Sequence, residues 1–407
     1  MTRMKESGID WIGQIPEEWE VDFVNHIFEE HKQKNKGNKE KNLLSLSYGR
    51  IIRKSIDTSF GLLPESFDTY NIIQRGDIVL RLTDLQNDKR SLRVGLAREN
   101  GIITSAYLTL RLKNICCSDS YMYYLLYTYD ICKVFYNFGG GVRQGGTWSD
   151  IYKMELLIPP KNEQQKIADF LDKKTAQLDK VKDLLEEQIQ KLKDYRASLI
   201  YETVTNGLDK TVPMKDSGIN WIGQVPEGWG VKRLKYLVEI STGTSNTQDR
   251  TVESEGYPFF VRSQNVEKLP TYTHDTEAIL TAGDGVGVGK VFHYYKGKFT
   301  AHQRVYILSN FKNIESKFLF YYVSINLKNE VSLGGAKSTV DSIRMPMLSN
   351  FMVSIPSSTE QHNISNYLDC EIKRIQAMIE IKQNQIENID KQRQTLIYDY
   401  VTGKRRV

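Results

Sequence analysis

Two stretches of the chain repeat apolar residues in a four-then-three pattern. Each runs for about 43 residues without proline or glycine, which predicts helices roughly 65 Å long. In the first, Leu171, Leu178, Leu185, Leu192 and Leu199 recur every seventh position, with Thr175, Lys182, Ile189 and Arg196 between them. In the second, Leu368, Ile375, Lys382, Ile389 and Leu396 form one series and Ile372, Ile379, Ile386 and Arg393 the other. Neither stretch has an apolar face wider than this seam, so the pattern predicts helices that pair as a coiled coil. Lys182 and Lys382 each interrupt a seam. Snorkelling to solvent is the preferred reading for both, over contact with acidic groups on a partner helix.

The blocks ahead of these helices, roughly 20–158 and 230–355, follow a different grammar. Runs rich in β-branched and aromatic residues (Asp77 to Leu82 and Thr104 to Leu112; Tyr257 to Arg262 and Arg304 to Leu308) alternate with turn residues and predict strands. An aromatic, amphipathic helix is expected next (Tyr121 to Phe135; Lys317 to Leu327), then a glycine-rich loop (Gly139 to Gly146; Gly334 to Ser338). A short strand then ends at Ile158 or Ile355, and proline breaks the chain before the long helix. The expected class is mixed α/β (α+β).

The chain repeats itself. KESGIDWIGQIPEEW at 5–19 and KDSGINWIGQVPEGW at 215–229 agree at 11 of 15 positions, offset by 210. A second frame, I-P-x-x-x-E-Q-x-x-I-x-x-x-L-D, opens both long helices with an offset of 197 that holds to their ends. The unit is therefore a lead motif, a variable block and a helix of fixed length, present twice. Four segments are expected: 1–158, a first globular domain with its lead motif; 159–207, the first helix; 208–355, the second domain; and 356–407, the second helix with a basic tail. The short 207–214 connection leaves no return path for parallel helices. Antiparallel pairing is expected instead, with a pseudo-two-fold and one globular domain at each end.

Composition adds bounds. The 407 residues are 40% hydrophobic and 26% charged, which excludes general disorder. Four cysteines (Cys116, Cys117, Cys132, Cys370) form no CxxC pair or disulfide framework, and the first residues lack a secretory apolar core; a cytoplasmic protein is expected. No apolar run is long enough to span a membrane. The formal charge of +5 hides a distribution: residues 163–206 and 360–403 are slightly acidic, leaving +8 on the remainder. The excess clusters at His31 to Lys41, Arg50 to Lys54, Lys89 to Arg98, Lys290 to Lys298 and the tail Lys404 to Arg406. Basic residues interleaved with Tyr, Asn and Gln fit phosphate contact with base-edge reading, although His31 to Lys41 also fits a solvated loop.

Catalytic signatures are not found. GDGVGVGK (Gly283 to Lys290) fails the phosphate-loop pattern, because Asp284 stands for its first glycine and Val291 follows the lysine; alternating glycines predict a twisted strand or hairpin. The six histidines show no metal-ligand spacing, and no methylase tetrapeptide is present. Binding is favoured over catalysis. Two alternatives stay open: a self-contained DNA nuclease or methyltransferase, and a coiled-coil scaffold that binds no DNA.

The repeated W-I-G-x-[IV]-P-E-x-W motif, the paired helix openings, the L-I-Y-[ED]-x-V-T helix ends and the two dissimilar blocks together resemble the specificity subunit of type I restriction-modification systems. The resemblance spans the whole chain. It implies a non-catalytic subunit whose two target-recognition domains each read half of a split, asymmetric site in double-stranded DNA, the helices acting as a ruler. It also implies partners: two methylase subunits and restriction subunits, which hold the S-adenosylmethionine, ATP and Mg used by the complex.

Candidate DNA contacts in the first domain are Arg50, Arg53, Lys54, Arg81, Lys89, Arg90, Arg143, Gln144 and Trp148. In the second, Arg262, Gln264 and Asn265 offer the side chains that read guanine and adenine bidentately, with Lys290, His302, Gln303, Arg304, Lys337 and Ser338 as further candidates. Arg81 and Arg304 lie in strand-like runs, where a salt bridge is the competing role.

Overall fold

A computed structural model describes residues 3–55, 66–85, 92–113, 117–139, 145–246, 255–333 and 342–407. The chain divides into two compact units, Met1–Leu185 with Asn384–Val407, and Glu186–Gln383. Each holds one globular block and a stretch of both long helices.

The helices run Lys161–Asn206 and Ser358–Val401, 46 and 44 residues. Within each unit they are antiparallel, since residue numbers rise on one as they fall on the other. In the first unit Phe170 lies 4.5 Å from Tyr400 between ring centroids, and Lys182 reaches Asp390 at 2.9 Å. In the second, Lys382 donates to Gln188 at 2.6 Å, and Leu199 packs into the cluster holding Leu368 and Ile372. The seam residues Leu171, Leu178, Leu185, Leu192, Leu199, Leu368, Ile372, Ile375, Ile379, Ile386, Ile389 and Leu396 are all buried or half-buried.

One expectation is overturned here. Lys182 does not snorkel: it pairs with the acidic Asp390 across the seam, because antiparallel register brings that carboxylate within reach of a four-carbon stem. Lys382 finds an amide instead. Both partners of the ion pair keep solvent contact, so a Lys182→Met/Asp390→Asn double-mutant cycle in urea unfolding should give about 0.5 kcal/mol of coupling, screened by salt. Coupling above about 2 kcal/mol would contradict this account.

The first unit builds a four-stranded antiparallel sheet in the order Phe28–Glu30, Leu108–Leu112, Ile78–Leu80, Val94–Leu96. The strand expected from Thr104 begins only at Leu108, because Thr104 to Tyr107 form a turn closed by Tyr107 N–H to Thr104 O, 3.2 Å. The aromatic helix is Asp119–Ile131, started by the Ser118 hydroxyl accepting from Tyr121 N–H. It is not amphipathic. Every residue from Tyr121 to Asp130 is buried, the condition of a helix enclosed by its domain. The tyrosines tolerate this because each hydroxyl finds a partner. Tyr121 donates to the carbonyls of Leu157 and Val401, Tyr123 to Gly49, Tyr129 to Glu155 and Tyr124 to Asp172, while Tyr127 accepts from Arg393. After Lys133, at a φ of 62°, the chain continues as a 3-10 turn over Val134–Asn137, so the expected helix to Phe135 stops short.

The second unit has a six-stranded sheet in the order Glu239–Thr242, Val305–Ser309, His274–Ala282, Phe292–Ala301, Tyr257–Phe260, Val266–Leu269. One neighbouring pair, Tyr257–Phe260 with Phe292–Ala301, is parallel. Its aromatic helix, Ser316–Leu333, buries Phe318, Leu319, Tyr322 and Val323 against Trp229, Phe351, Ile364 and Leu368. Among the described residues the two sheets differ in strand number and order, which is the structural form of the divergence between the blocks.

Where the repeats match, contacts match. Trp19 Nε1 donates to Glu163 at 3.0 Å, and Trp229 Nε1 to Glu360 at 3.1 Å. Gln164 donates to Pro159 O and accepts from Ser118 N–H; Gln361 donates to Pro356 O and accepts from Glu315 N–H. Asp172 accepts from Tyr124 at 2.8 Å, and Asp369 from Tyr321 at 2.6 Å. The E-Q and L-D letters of the helix opening are therefore the fasteners of lead motif and aromatic helix to the rod. No helix among the described residues is long and apolar enough to cross a membrane.

Candidate nucleic-acid interface

In the first unit the expected contacts separate. Arg50 and Arg53 bracket the strand of a hairpin, Leu44–Ser47 with Arg50–Arg53. Arg50 is paired with Asp179 of the long helix at 2.6 Å, and Arg53 with Glu99. Lys54 is exposed. Arg81 follows the strand Ile78–Leu80 and is half-buried, and Trp148 packs its ring against the core. Lys89, Arg90, Arg143 and Gln144 lie outside the described residues, as do Lys337 and Ser338 of the second unit.

Much of the apparent surface charge in this unit is structural. Arg93 is fully buried and donates to the carbonyls of Arg81 and Thr83 at 3.0 and 2.8 Å and to the Tyr136 hydroxyl at 3.1 Å. Arg98 pairs with Asp172 at 3.0 Å. A cleft of about 410 Å³ between hairpin and helices is lined by Arg50, Arg98, Tyr123, Tyr124, Asp172, Asp179 and Arg393; Arg50 and Arg393 share Asp179, and Arg98 takes Asp172. Burial pushes the Tyr127 hydroxyl up to about 12 although Arg393 opposes the shift. The basic tail is also occupied: Lys404 donates to the carbonyls of Ile12 and Gln14, and Arg406 pairs with Glu18 and Glu163.

A residue the sequence did not single out stands at the hairpin tip. Tyr48 is 82% exposed at a φ of 46°, a conformation that β-turn geometry demands and that a non-glycine residue adopts at a cost. Its only signal in the sequence is the Tyr-Gly pair between two strand-like runs.

The second unit brings its expected contacts together. Arg262, Gln264 and Asn265 are exposed in the turn joining Tyr257–Phe260 to Val266–Leu269. Gln303 and Arg304 are exposed in the turn before Val305–Ser309, and Lys290 is exposed in the connection 283–291. The organiser is Asp284: its two oxygens take Arg262 Nη1 at 2.8 Å and Arg304 Nη1 at 2.7 Å. Burial raises the Asp284 pKa, and the two guanidinium hydrogen bonds and charges outweigh it, leaving the carboxyl below its usual range. With a lowered folded pKa, this clamp is complete above the ordinary carboxylate range and opens as pH falls through the lowered value. Clefts of about 420 and 300 Å³ flank it, the first lined by Gln303, Arg304 and Arg344, the second by Arg262 and Val286.

One expectation holds in part here and another changes. The run GDGVGVGK is the connection of a hairpin, but contains no strand; Gly285–Gly287 is a 3-10 turn. Its alternating glycines answer to space and backbone sign. Gly285 has a φ of +78°, and a Cβ on Gly287 would lie 2.3 Å from the Arg262 carbonyl oxygen. His302 is interior, 5% exposed, and its Nδ1 accepts the Arg304 N–H at 3.1 Å, so it shapes the turn that presents Arg304 rather than facing outward.

A family model for the type I restriction modification DNA specificity domain matches residues 16–193 and again 226–389. The chain belongs to this family and carries its domain twice. Its role is that of a type I specificity subunit, recognition of a DNA sequence. Among curated relatives, the EcoDI type I restriction enzyme specificity subunit of Escherichia coli is 31% identical over 156 residues, 38% of this chain and 34% of that protein. The match thus spans about a third of that relative's length. The putative MjaX specificity subunit of Methanocaldococcus jannaschii is 25% identical over 97% of this chain and 96% of its own, and the MjaVIII specificity subunit of the same organism is 25% identical over 97% and 94%. A chain from a solved structure concerned with complex assembly and conformational transition of the type I R-M system has a TM-score of 0.67 at 16% identity, covering 95% of this chain and 98% of that one. That likeness is one of fold.

Proposed function

We propose that each unit reads one half of a split, asymmetric site in double-stranded DNA, and that the paired helices fix the gap between halves while docking two methylase subunits. Restriction subunits join that complex, in the cytoplasm, and S-adenosylmethionine, ATP and Mg are held by the partners rather than by this chain, which performs no chemistry. The observation that carries the reading is the repeated frame: the same Trp–Glu, Gln–Pro and Tyr–Asp contacts hold two unlike sheets. An invariant mount with exchangeable heads suits a protein that reads two different half-sequences. The favoured contacts are Arg262, Gln264, Asn265, Lys290, Gln303 and Arg304 in the second unit and Arg53, Lys54 and Arg81 in the first.

The test is methylation mapping of DNA from cells carrying this chain with its methylase. The expected result is one motif of two half-sites separated by a constant gap, and a continuous motif contradicts the proposal. A seven-residue insertion near Leu185 should alter the gap and leave both half-sequences unchanged. The chain purified alone, given S-adenosylmethionine and Mg²⁺, should neither methylate nor cut DNA, and should bind it with a steep salt dependence.

A further inference from the structure

The connection 283–291 holds an apolar side chain in an unusual position. Val286 is 93% exposed, more than any other large apolar residue among those described, yet Gly287, Val288 and Gly289 directly after it are buried. A valine so exposed on a floppy loop would be unremarkable, since single apolar side chains often face water. This one is held. Val288 N–H bonds Gly285 O at 3.1 Å, Val291 N–H bonds Gly287 O at 2.9 Å, and Gly287 abuts the Arg262 carbonyl too closely for any side chain. At the base of the turn, Ile343 N–H bonds Gly283 O at 2.8 Å and Asp284 holds both arginines. The result is an apolar knob on a hydrogen-bonded turn, sharing a cleft with Arg262, whose partner Asp284 also holds Arg304, and close in sequence to the exposed Lys290.

Oriented guanidiniums and an apolar tip match different features of one surface. In the major groove, guanine offers two acceptors suited to arginine, and thymine offers the only methyl group. Each arginine gives one Nη1 to Asp284, which fixes the plane of the fork while its other nitrogens can face a base. A polar tip would serve phosphate contact equally well; a valine would not. We propose that Val286 reads a thymine methyl group in the half-site bound by the second unit, and that Asp284 is a positioning residue that aims Arg262 and Arg304 at neighbouring base edges. This rests on the DNA-reading function proposed above and assigns its subsite.

The experiment uses the complex of the full chain with its methylase subunits and duplexes bearing the mapped motif. Each thymine of both half-sites is replaced singly by uracil, which removes only the methyl group. Loss of one buried methyl contact should weaken binding about fourfold at one position. Val286→Ala should bind the thymine and uracil duplexes equally at that position, while Tyr48→Ala, in the other unit, keeps the fourfold difference. Asp284→Ala should lower the preference for the mapped half-site over its single-base variants about tenfold, while binding to unrelated DNA rises or holds. If Asp284 acted only through its charge, binding to all sequences would rise together and discrimination would stay. No uracil position coupled to Val286, or a half-site bound by the second unit that holds no thymine, overturns the assignment. Failure of the wild-type complex to select any bipartite motif overturns the function beneath it instead.

Discussion

Arg93→Met is expected to be among the most damaging single changes in the chain, destabilising the first unit by about 3–5 kcal/mol. Arg93 is fully enclosed, and its guanidinium supplies hydrogen bonds to the carbonyls of Arg81 and Thr83 and to the Tyr136 hydroxyl, over whose ring it also lies at 5.2 Å. The carbonyls belong to half-buried residues of the segment that follows the strand Ile78–Leu80, where water replaces the lost donors only in part. Each orphaned carbonyl costs about 1–3 kcal/mol. Arg93→Lys keeps the charge but not the planar fork, so it should recover only part of the loss. Arg98→Met is the control: its ion pair with Asp172 is half-exposed, and about 1 kcal/mol or less is expected. Urea unfolding of the three variants checks the order. Equal losses for Arg93→Met and Arg98→Met would remove the distinction between a buried cation and a surface one.

Arg93 also shows where sequence reading stops. In the sequence it belongs to a basic cluster with Lys89, Arg90 and Arg98, and nothing local separates an arginine bound for the core from one bound for DNA. What separates them is the return of a tyrosine 43 residues later, a non-local event. The seam was legible because helical spacing alone decides burial along a rod, and every named seam position is at least half-buried. The pattern places the aromatic helix but not its surroundings, which enclose it on every side. A tyrosine reads as interfacial until its hydroxyl is seen to have a partner in the fold, as five do here. The glycine run was ambiguous for a related reason: period-two glycine fits a strand, yet two independent demands, positive φ and close approach, happened to alternate. The second unit's candidate site was half legible. Residue type marks Arg262 and Arg304, but Asp284, in the sequence only a misfit to a phosphate loop, is what joins them.

The glutamines of the helix openings give the second large effect. Gln164 and Gln361 are buried, and each does two things at once: its amide donates to a proline carbonyl at 2.9 Å, and its oxygen accepts a backbone N–H from the segment that starts the aromatic helix. Gln164→Leu or Gln361→Leu is nearly equal in volume and leaves a donor and an acceptor of the main chain buried without partners. About 3 kcal/mol should be lost in each case. Hydrogen exchange should place the faster-opening amides at Ser118 to Tyr124 for the first variant and at Glu315 to Tyr321 for the second. If either substitution accelerates exchange across both units alike, the fastening is not local. The grip explains how the repeats diverge without coming apart. Because the partner is a main-chain N–H, Ser118 in one copy and Glu315 in the other are equivalent to it, so the blocks beyond can change every side chain and still be mounted on the same helix.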